Sequence, residues 1–259
     1  MSTPEVPRGA SEGGELADPS AAGHQLAQRG AASRSIARMA EPRALAPRQL
    51  DERRLIHRDD SARPLADAFR EIRTRLLALG GDQNFVTMVA PVSSGSGGSF
   101  VARNLAAAFA FDESKTALLI DCNPRHAAQH KAFGTEETPG LIDYLDHPAI
   151  GVEAIICPTG VPRLRLIPAG RQRELSGEYF SSFRMRAVLD SLRCRYADRY
   201  LFLDGPAARG SPDARILSEL ADFVVLVAGY GRDTPNAIAQ AAASFDPNRF
   251  AGVVFNELP

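Results

Sequence analysis

The sequence predicts an α/β fold, a mostly parallel sheet flanked by helices on both faces. Three observations predict it. Short apolar runs, among them Val86 to Ala90, Ala117 to Ile120 and Phe223 to Ala228, alternate with stretches whose apolar residues recur at helical spacing. A loop of serine and glycine, Ser93 to Ser99, joins the first of these runs to the helix after it. Two runs end on an acid, Asp121 and Asp204, and the carboxyl ends of strands are where open α/β sheets bind ligands.

At 259 residues the chain has room for one such domain plus an appendage. Its 44% hydrophobic and 24% charged residues suit a water-soluble globular protein. A formal net charge of -1 gives no reason to expect nucleic acid as a partner. Lysine occurs only at Lys115 and Lys131, so nearly all the basic residues are arginine. Cys122, Cys157 and Cys194 are far apart and odd in number, which fits reduced thiols rather than a disulfide framework or a metal site. No apolar run reaches the ~20 residues of a membrane span, and no secretory segment opens the chain. A cytoplasmic location is therefore expected.

Met1 to Asp60 is rich in Ala, Arg, Glu, Pro, Ser and Gly and has little apolar periodicity. Residues 1–60 are expected to form a disordered arm, and residues 61–259 the α/β domain. Ser61 to Leu79 predicts the first helix, with Leu65, Phe69, Ile72 and Leu76 on one side. On it, Asp67, Arg70 and Arg73 are spaced by three and share a face. The Ser/Gly loop is followed by a helix opening at Ser99. Gly140 to Asp146 predicts a short helix, Leu164 to Ile167 a strand, and Glu178 to Tyr196 one long amphipathic helix. Arg199 to Pro206 and Phe223 to Ala228 predict strands, with a helix between them over Pro212 to Leu220. Thr234 reads as the N-cap of a last helix with Pro235 at its first position, and Val253 to Phe255 close the sheet.

A strand, a Gly-rich loop and a helix N-terminus make a phosphate cradle. Small residues let backbone N–H groups turn toward an anion, and here they are Ser94, Gly95, Ser96, Gly97, Gly98 and Ser99. The Ser99 hydroxyl is placed to bind Mg²⁺. Asp204, at the end of an apolar strand, suits a Mg²⁺ carboxylate, and Asp121 a group that binds the metal or orients a water. Each acid alone is equally a loop cap. Together with the loop they predict a nucleoside triphosphate site on a P-loop NTPase-like fold. One part is missing: a P-loop closes on Gly-Lys-Ser/Thr, and this chain has Gly97-Gly98-Ser99.

From about Pro64 to Asn256 the chain resembles the bacterial tyrosine kinases of capsule and exopolysaccharide synthesis, a branch of the P-loop ATPases that includes MinD and ParA proteins. The resemblance rests on Asp67-x-x-Arg70-x-x-Arg73, on Gly97-Gly98-Ser99 followed by Asn104-Leu105-Ala106, and on LLIDCNPR around Asp121, Asn123 and Arg125. HKAFG from His130, GLIDYL from Gly140, LIPAG from Leu166 and FLDGPA from Phe202 extend it. It implies binding of ATP or ADP with Mg²⁺ by the Ser94–Ser99 loop and Arg125, with Asp121 and Asp204 in catalytic and metal roles. It also implies a homo-oligomer joined through Asp67, Arg70 and Arg73. The implied partner is a membrane polysaccharide co-polymerase, or chain-length determinant, which would hold the protein at the inner membrane.

The departures from that family are Gly98 for the lysine, Asn123 for a second acid, and dispersed tyrosines in place of a tyrosine-rich tail. They favour a degenerate kinase-like regulator of chain length or export. The alternatives are an active tyrosine autokinase using another cation, and a ParA- or MinD-like positioning ATPase. Gly98→Lys is expected to tighten ATP binding if the lysine alone is missing.

Overall fold

The computed structural model describes residues 44–57, 59, 63–81, 83–135, 139–171, 176–210 and 212–257. Helices α1 (Pro47–Glu52) and α2 (Arg63–Gly80) precede β1 (Val86–Pro91). There follow α3 (Gly98–Ala110), β2 (Thr116–Asp121), α4 (Gln129–Phe133), α5 (Leu141–Asp146), β3 (Cys157–Pro158) and β4 (Leu164–Ile167). The chain continues as α6 (Ser176–Phe180), α7 (Phe183–Cys194), β5 (Arg199–Asp204), α8 (Asp213–Ser218), β6 (Phe223–Gly229), α9 (Pro235–Ala242) and β7 (Phe250–Asn256).

Among the described residues seven strands form one sheet in the order β3-β4-β2-β5-β1-β6-β7. Every neighbouring pair is parallel except β3 with β4. The period of two along each strand splits the core into two layers. Leu118 and Ile120 of β2 join Met88, Leu201, Leu203 and Leu226 beneath α5, α7, α8 and α9. Ala117 and Leu119 join Val89, Phe202 and Val225 beneath α2 and α3. Helix α3 packs close because half of its buried residues are alanine: Ala102, Ala106, Ala107, Ala108 and Ala110. Strands buried on both faces are what a doubly covered parallel sheet requires.

Three expectations are corrected. The arm was expected to be disordered through residue 60. Residues 1–43 lie outside the described residues, but 44–57 form α1 and a strap packed on the domain. Leu55 and Ile56 are 3% and 1% exposed, and Leu45 N–H donates to the Gly160 carbonyl at 2.9 Å. Their burial comes from contacts with distant residues, which local periodicity cannot reveal. The long helix expected from Glu178 to Tyr196 is two helices, α6 and α7. Ser182 is extended between them, and its hydroxyl accepts from Met185 N–H at 3.2 Å, an N-cap that starts a new helix. Strand β7 also runs longer than expected, beginning at Phe250.

Candidate functional site

Parallel strands β1, β5 and β2 carry their following loops to one edge of the sheet. The loop after β1 is pinned there from several sides. Gly97 caps α3 with φ of 93°, a left-handed conformation that glycine adopts without strain. A Cβ at Gly97 would also lie 2.1 Å from the Asn256 amide nitrogen. That amide, at the end of β7, donates to the Ser96 carbonyl at 3.2 Å. The Ser96 hydroxyl donates to Asp233 at 2.6 Å, and Asp233 also accepts from Gly229 N–H at 2.8 Å. Arg232 reaches the Ser94 carbonyl at 3.3 Å. Ser96, expected in the phosphate cradle, therefore has a buried hydroxyl that ties the loop to the β6–α9 connection.

Gly98 has no room for any side chain. A Cβ there would meet the Pro91 ring at 2.6 Å from Cδ and 2.9 Å from Cγ. The lost lysine is thus matched by a proline packed where its side chain would begin. Gly98→Lys was expected to tighten ATP binding if the lysine alone is missing, and a lysine there must also displace the Pro91 ring.

Asp121 and Asp204 are register partners at the carboxyl ends of adjacent strands, each 1% exposed. Asp121 accepts backbone N–H bonds from Asn123 at 3.1 Å and from Ala128 and Gln129 at 3.2 Å. Asp204 accepts from the Gln129 amide at 2.6 Å, and the Ser99 hydroxyl is near enough to favour its charged form. The same Gln129 amide donates to the Ser99 carbonyl at 3.0 Å. Burial, and then the charge of Asp204, pushes the Asp121 carboxyl above the ordinary carboxylate range. Burial raises Asp204 too, against the pull of Gln129, Ser99 and Arg103. Asp204 Oδ1 and Gln129 Oε1 are buried acceptors without a hydrogen-bond partner. Orphaned acceptors beside the Ser99 hydroxyl are a donor set that suits a hard cation. Among the described residues no group of three or more His, Cys, Asp or Glu could hold a metal, so such a cation would draw its other ligands from phosphate or water.

Above the acids opens a cavity of about 420 Å³. Ser94, Gly95, Gly97, Gly98, Ser99 and Arg125 of the expected site line it, whereas Ser96, Asp121 and Asp204 do not. Among the described residues four arginines line it, Arg54, Arg103, Arg125 and Arg209, against a single acid, Asp213. Arg125 lies 3.7 Å from Asp213. Arg103 sits over the Phe100 ring at 5.4 Å, and burial lowers its pKa despite the nearby Asp204. Arg103 lies one helical turn beyond Ser99. Sequence reasoning missed Arg54, Gln129, Asp213 and Asn256, which come from segments far apart in the chain and carry no local motif.

The charged face of α2 is engaged within the chain. Arg70 donates to Asp67 at 2.6 Å, and Arg73 donates to the Ala108 carbonyl near the end of α3 at 2.7 Å.

No protein-family model matches the chain. Among curated relatives it is 32% identical over 197 residues to tyrosine-protein kinase wzc of Salmonella typhi, a match covering 74% of this chain and 27% of that protein. It is 32% identical over 199 residues to the putative tyrosine-protein kinase EpsB of Ralstonia solanacearum, covering 75% of this chain and 26% of the relative. The chain thus spans about a quarter of the length of these larger relatives. Against tyrosine-protein kinase CpsD of Streptococcus agalactiae it is 28% identical, covering 76% of this chain and 85% of the relative. Of solved structures, the VpsO kinase domain superposes with a TM-score of 0.67 at 27% identity, covering 78% of this chain and 98% of that one. The kinase domain of the Escherichia coli tyrosine kinase ETK gives 0.67 at 23% identity, covering 82% and 94%. The Pyrococcus furiosus cell division ATPase MinD gives 0.54 at 19%, covering 66% and 70%, a likeness of fold. The shared sheet and loop, with the similarity to three tyrosine kinases across three quarters of the chain, support the bacterial tyrosine kinase family for this protein, whose P-loop position for lysine is Gly98.

Proposed function

We propose that this chain is a kinase-like regulator of exopolysaccharide or capsular polysaccharide synthesis that binds a nucleoside di- or triphosphate and transfers phosphate slowly or not at all. One observation carries the reading: the phosphate loop and both acids are kept, while Pro91 fills the space beside Gly98 where the lysine belongs. In this reading the N–H groups of the Ser94–Ser99 loop and the start of α3 hold the phosphates. Arg125 reaches them from the loop after β2. Ser99 and Asp204 would hold Mg²⁺, which when bound would offset phosphate charge. Asp121, beside Asp204 on the neighbouring strand, holds the loop through Ala128 and Gln129 in place and keeps the Asp204 carboxylate oriented through the Gln129 side chain.

Binding a diphosphate is shared among many donors, whereas transfer needs charge already aimed at the β–γ bridge. Losing one such cation costs about 3 kcal/mol, roughly a hundredfold in rate. We further propose that the protein works as a homo-oligomer, with Asp67, Arg70 and Arg73 at or near the contact, on the cytoplasmic side of the inner membrane. There it would be held by a membrane polysaccharide co-polymerase. The four arginines around the cavity support a second reading, an active tyrosine kinase that recruits arginine in place of lysine. Calorimetric titration with MgADP, beside assays of ATP hydrolysis and tyrosine phosphorylation, separates the two. Binding without turnover supports the first reading, and turnover at the rate of lysine-bearing kinases overturns it.

A further inference from the structure

The strap that precedes the domain runs into the cavity. After α1 it turns at Arg54 and continues through Leu55 and Ile56, which are buried in the layer under α3. Two side-chain contacts fix the turn. Arg53 donates to the Phe133 carbonyl. The Asn104 side chain, wholly buried on α3, accepts from Ile56 N–H at 2.8 Å and donates to the Arg54 carbonyl at 3.0 Å. Arg54 itself has φ of 54°, a left-handed conformation that a residue with a long side chain adopts at a cost. A strained residue is held only where its surroundings fix it, and here Asn104 and Ile56 do so. The result is that a side chain 44 positions upstream of Gly98 lines the same cavity as Gly97, Gly98 and Ser99.

We propose that Arg54, delivered by this strap, binds the phosphates of the cavity's ligand and with Arg103 supplies the positive charge that Gly98 leaves out. This rests on reading the cavity as a nucleoside phosphate site. Arg103 Nε is buried with no hydrogen-bond partner, so one arginine already carries a donor in need of an acceptor. Arg54 is near enough to lower the Arg103 pKa, after the larger effect of burial, so two like charges are held beside one cavity. A polyanion between them relieves that repulsion, and guanidinium forks pair with phosphate oxygens in a planar, two-point geometry. A lysine in the loop makes its charge part of the cradle. An arginine on a strap makes the charge depend on whether the strap is docked.

The test uses the full chain with MgADP, and with magnesium pyrophosphate as a probe without a base. Binding is read by calorimetry and folding by thermal melting. Wild type is expected to bind both, and Arg54→Ala to lose about tenfold or more in affinity for both, with a flatter dependence on salt. Arg54→Lys should recover part of the loss. Arg54→Gly separates binding from folding, because glycine suits the left-handed turn: its melting temperature should rise while its affinity falls. Arg48→Ala, on the solvent side of α1, should change neither. If wild type binds and Arg54→Ala and Arg54→Gly bind equally well, the role of Arg54 is overturned while the nucleotide reading stands. If wild type binds neither ligand, both are overturned.

Discussion

Pro91 and Gly98 are complementary: the proline ring lies 2.6 Å from where a side chain at Gly98 would begin. The end of β1 meets the start of α3 at the point where a P-loop lysine leaves the backbone, so a side chain at Gly98 requires the ring to move.

Gly98→Lys alone should therefore destabilise the protein by about 1–3 kcal/mol through overpacking, without gaining affinity for ATP. Pro91→Gly combined with Gly98→Lys should recover much of that stability and tighten ATP binding. Urea denaturation and calorimetry on the two variants check this. Tight ATP binding by the single variant would show that the ring moves aside easily.

Asn104 joins the P-loop helix to the strap. Asn104→Ala should leave Ile56 N–H and the Arg54 carbonyl unpaired at their buried ends and cost about 1–3 kcal/mol. Limited proteolysis should then cut within residues 44–57 before it cuts the domain. Equal protection of that segment in variant and wild type would contradict the clamp.

The acid pair makes a pH prediction for the protein without nucleotide or metal. Asp121 and Asp204 have folded-state pKa values raised above those of the unfolded chain, by burial first. The stability they contribute is present below the ordinary carboxylate pKa of about 4 and is lost as pH rises through the raised values. Asp204→Asn removes one buried charge and the repulsion felt by Asp121. The variant should gain melting temperature relative to wild type as pH rises from acid to slightly alkaline, with EDTA present. Parallel curves for the two proteins would contradict the assignment.

On α2 the two arginines should behave differently. Arg70 makes an exposed ion pair with Asp67, so Arg70→Ala should change stability by less than about 0.5 kcal/mol while weakening self-association. Arg73 donates to a carbonyl near the carboxyl end of α3, and Arg73→Ala should cost about 1 kcal/mol whatever its effect on assembly. Light scattering and denaturation on each variant test the pair. A wild type that stays monomeric at cell-like concentration would count against the proposed homo-oligomer.

The fold was legible because its signals are local. Leu118 and Ile120 alternate with Ala117 and Leu119, so β2 shows in six residues. Thr234 and Pro235 mark the start of α9 in two, and Thr234 does cap Ala237 N–H at 3.2 Å. The break at Ser182 was hidden because Phe183, three residues after Phe180, carries the apolar spacing across it, although Phe183 is exposed in the fold. In the site, the Ser/Gly loop and the two acids stand out in the sequence because each follows an apolar run. The side chains that close the cavity do not. Arg54 sits in a stretch with no periodicity, while Asn256 ends β7 and Asp233 lies in the β6–α9 connection, and their approach to the loop is set by the sheet order. Nor could the sequence show that Ser96 turns inward or that Pro91 blocks Gly98, since both depend on how β1 meets α3.

The most direct test of a phosphate cradle without its catalytic cation is a single-turnover experiment on the full chain. Protein in excess is mixed with MgATP labelled at the γ-phosphate, and bound ATP, released phosphate and labelled tyrosine are followed together. Retained, intact ATP with only traces of phosphate and phosphotyrosine is the predicted result. Rapid appearance of stoichiometric phosphotyrosine would contradict it and make the arginines around the cavity a working replacement for the lysine.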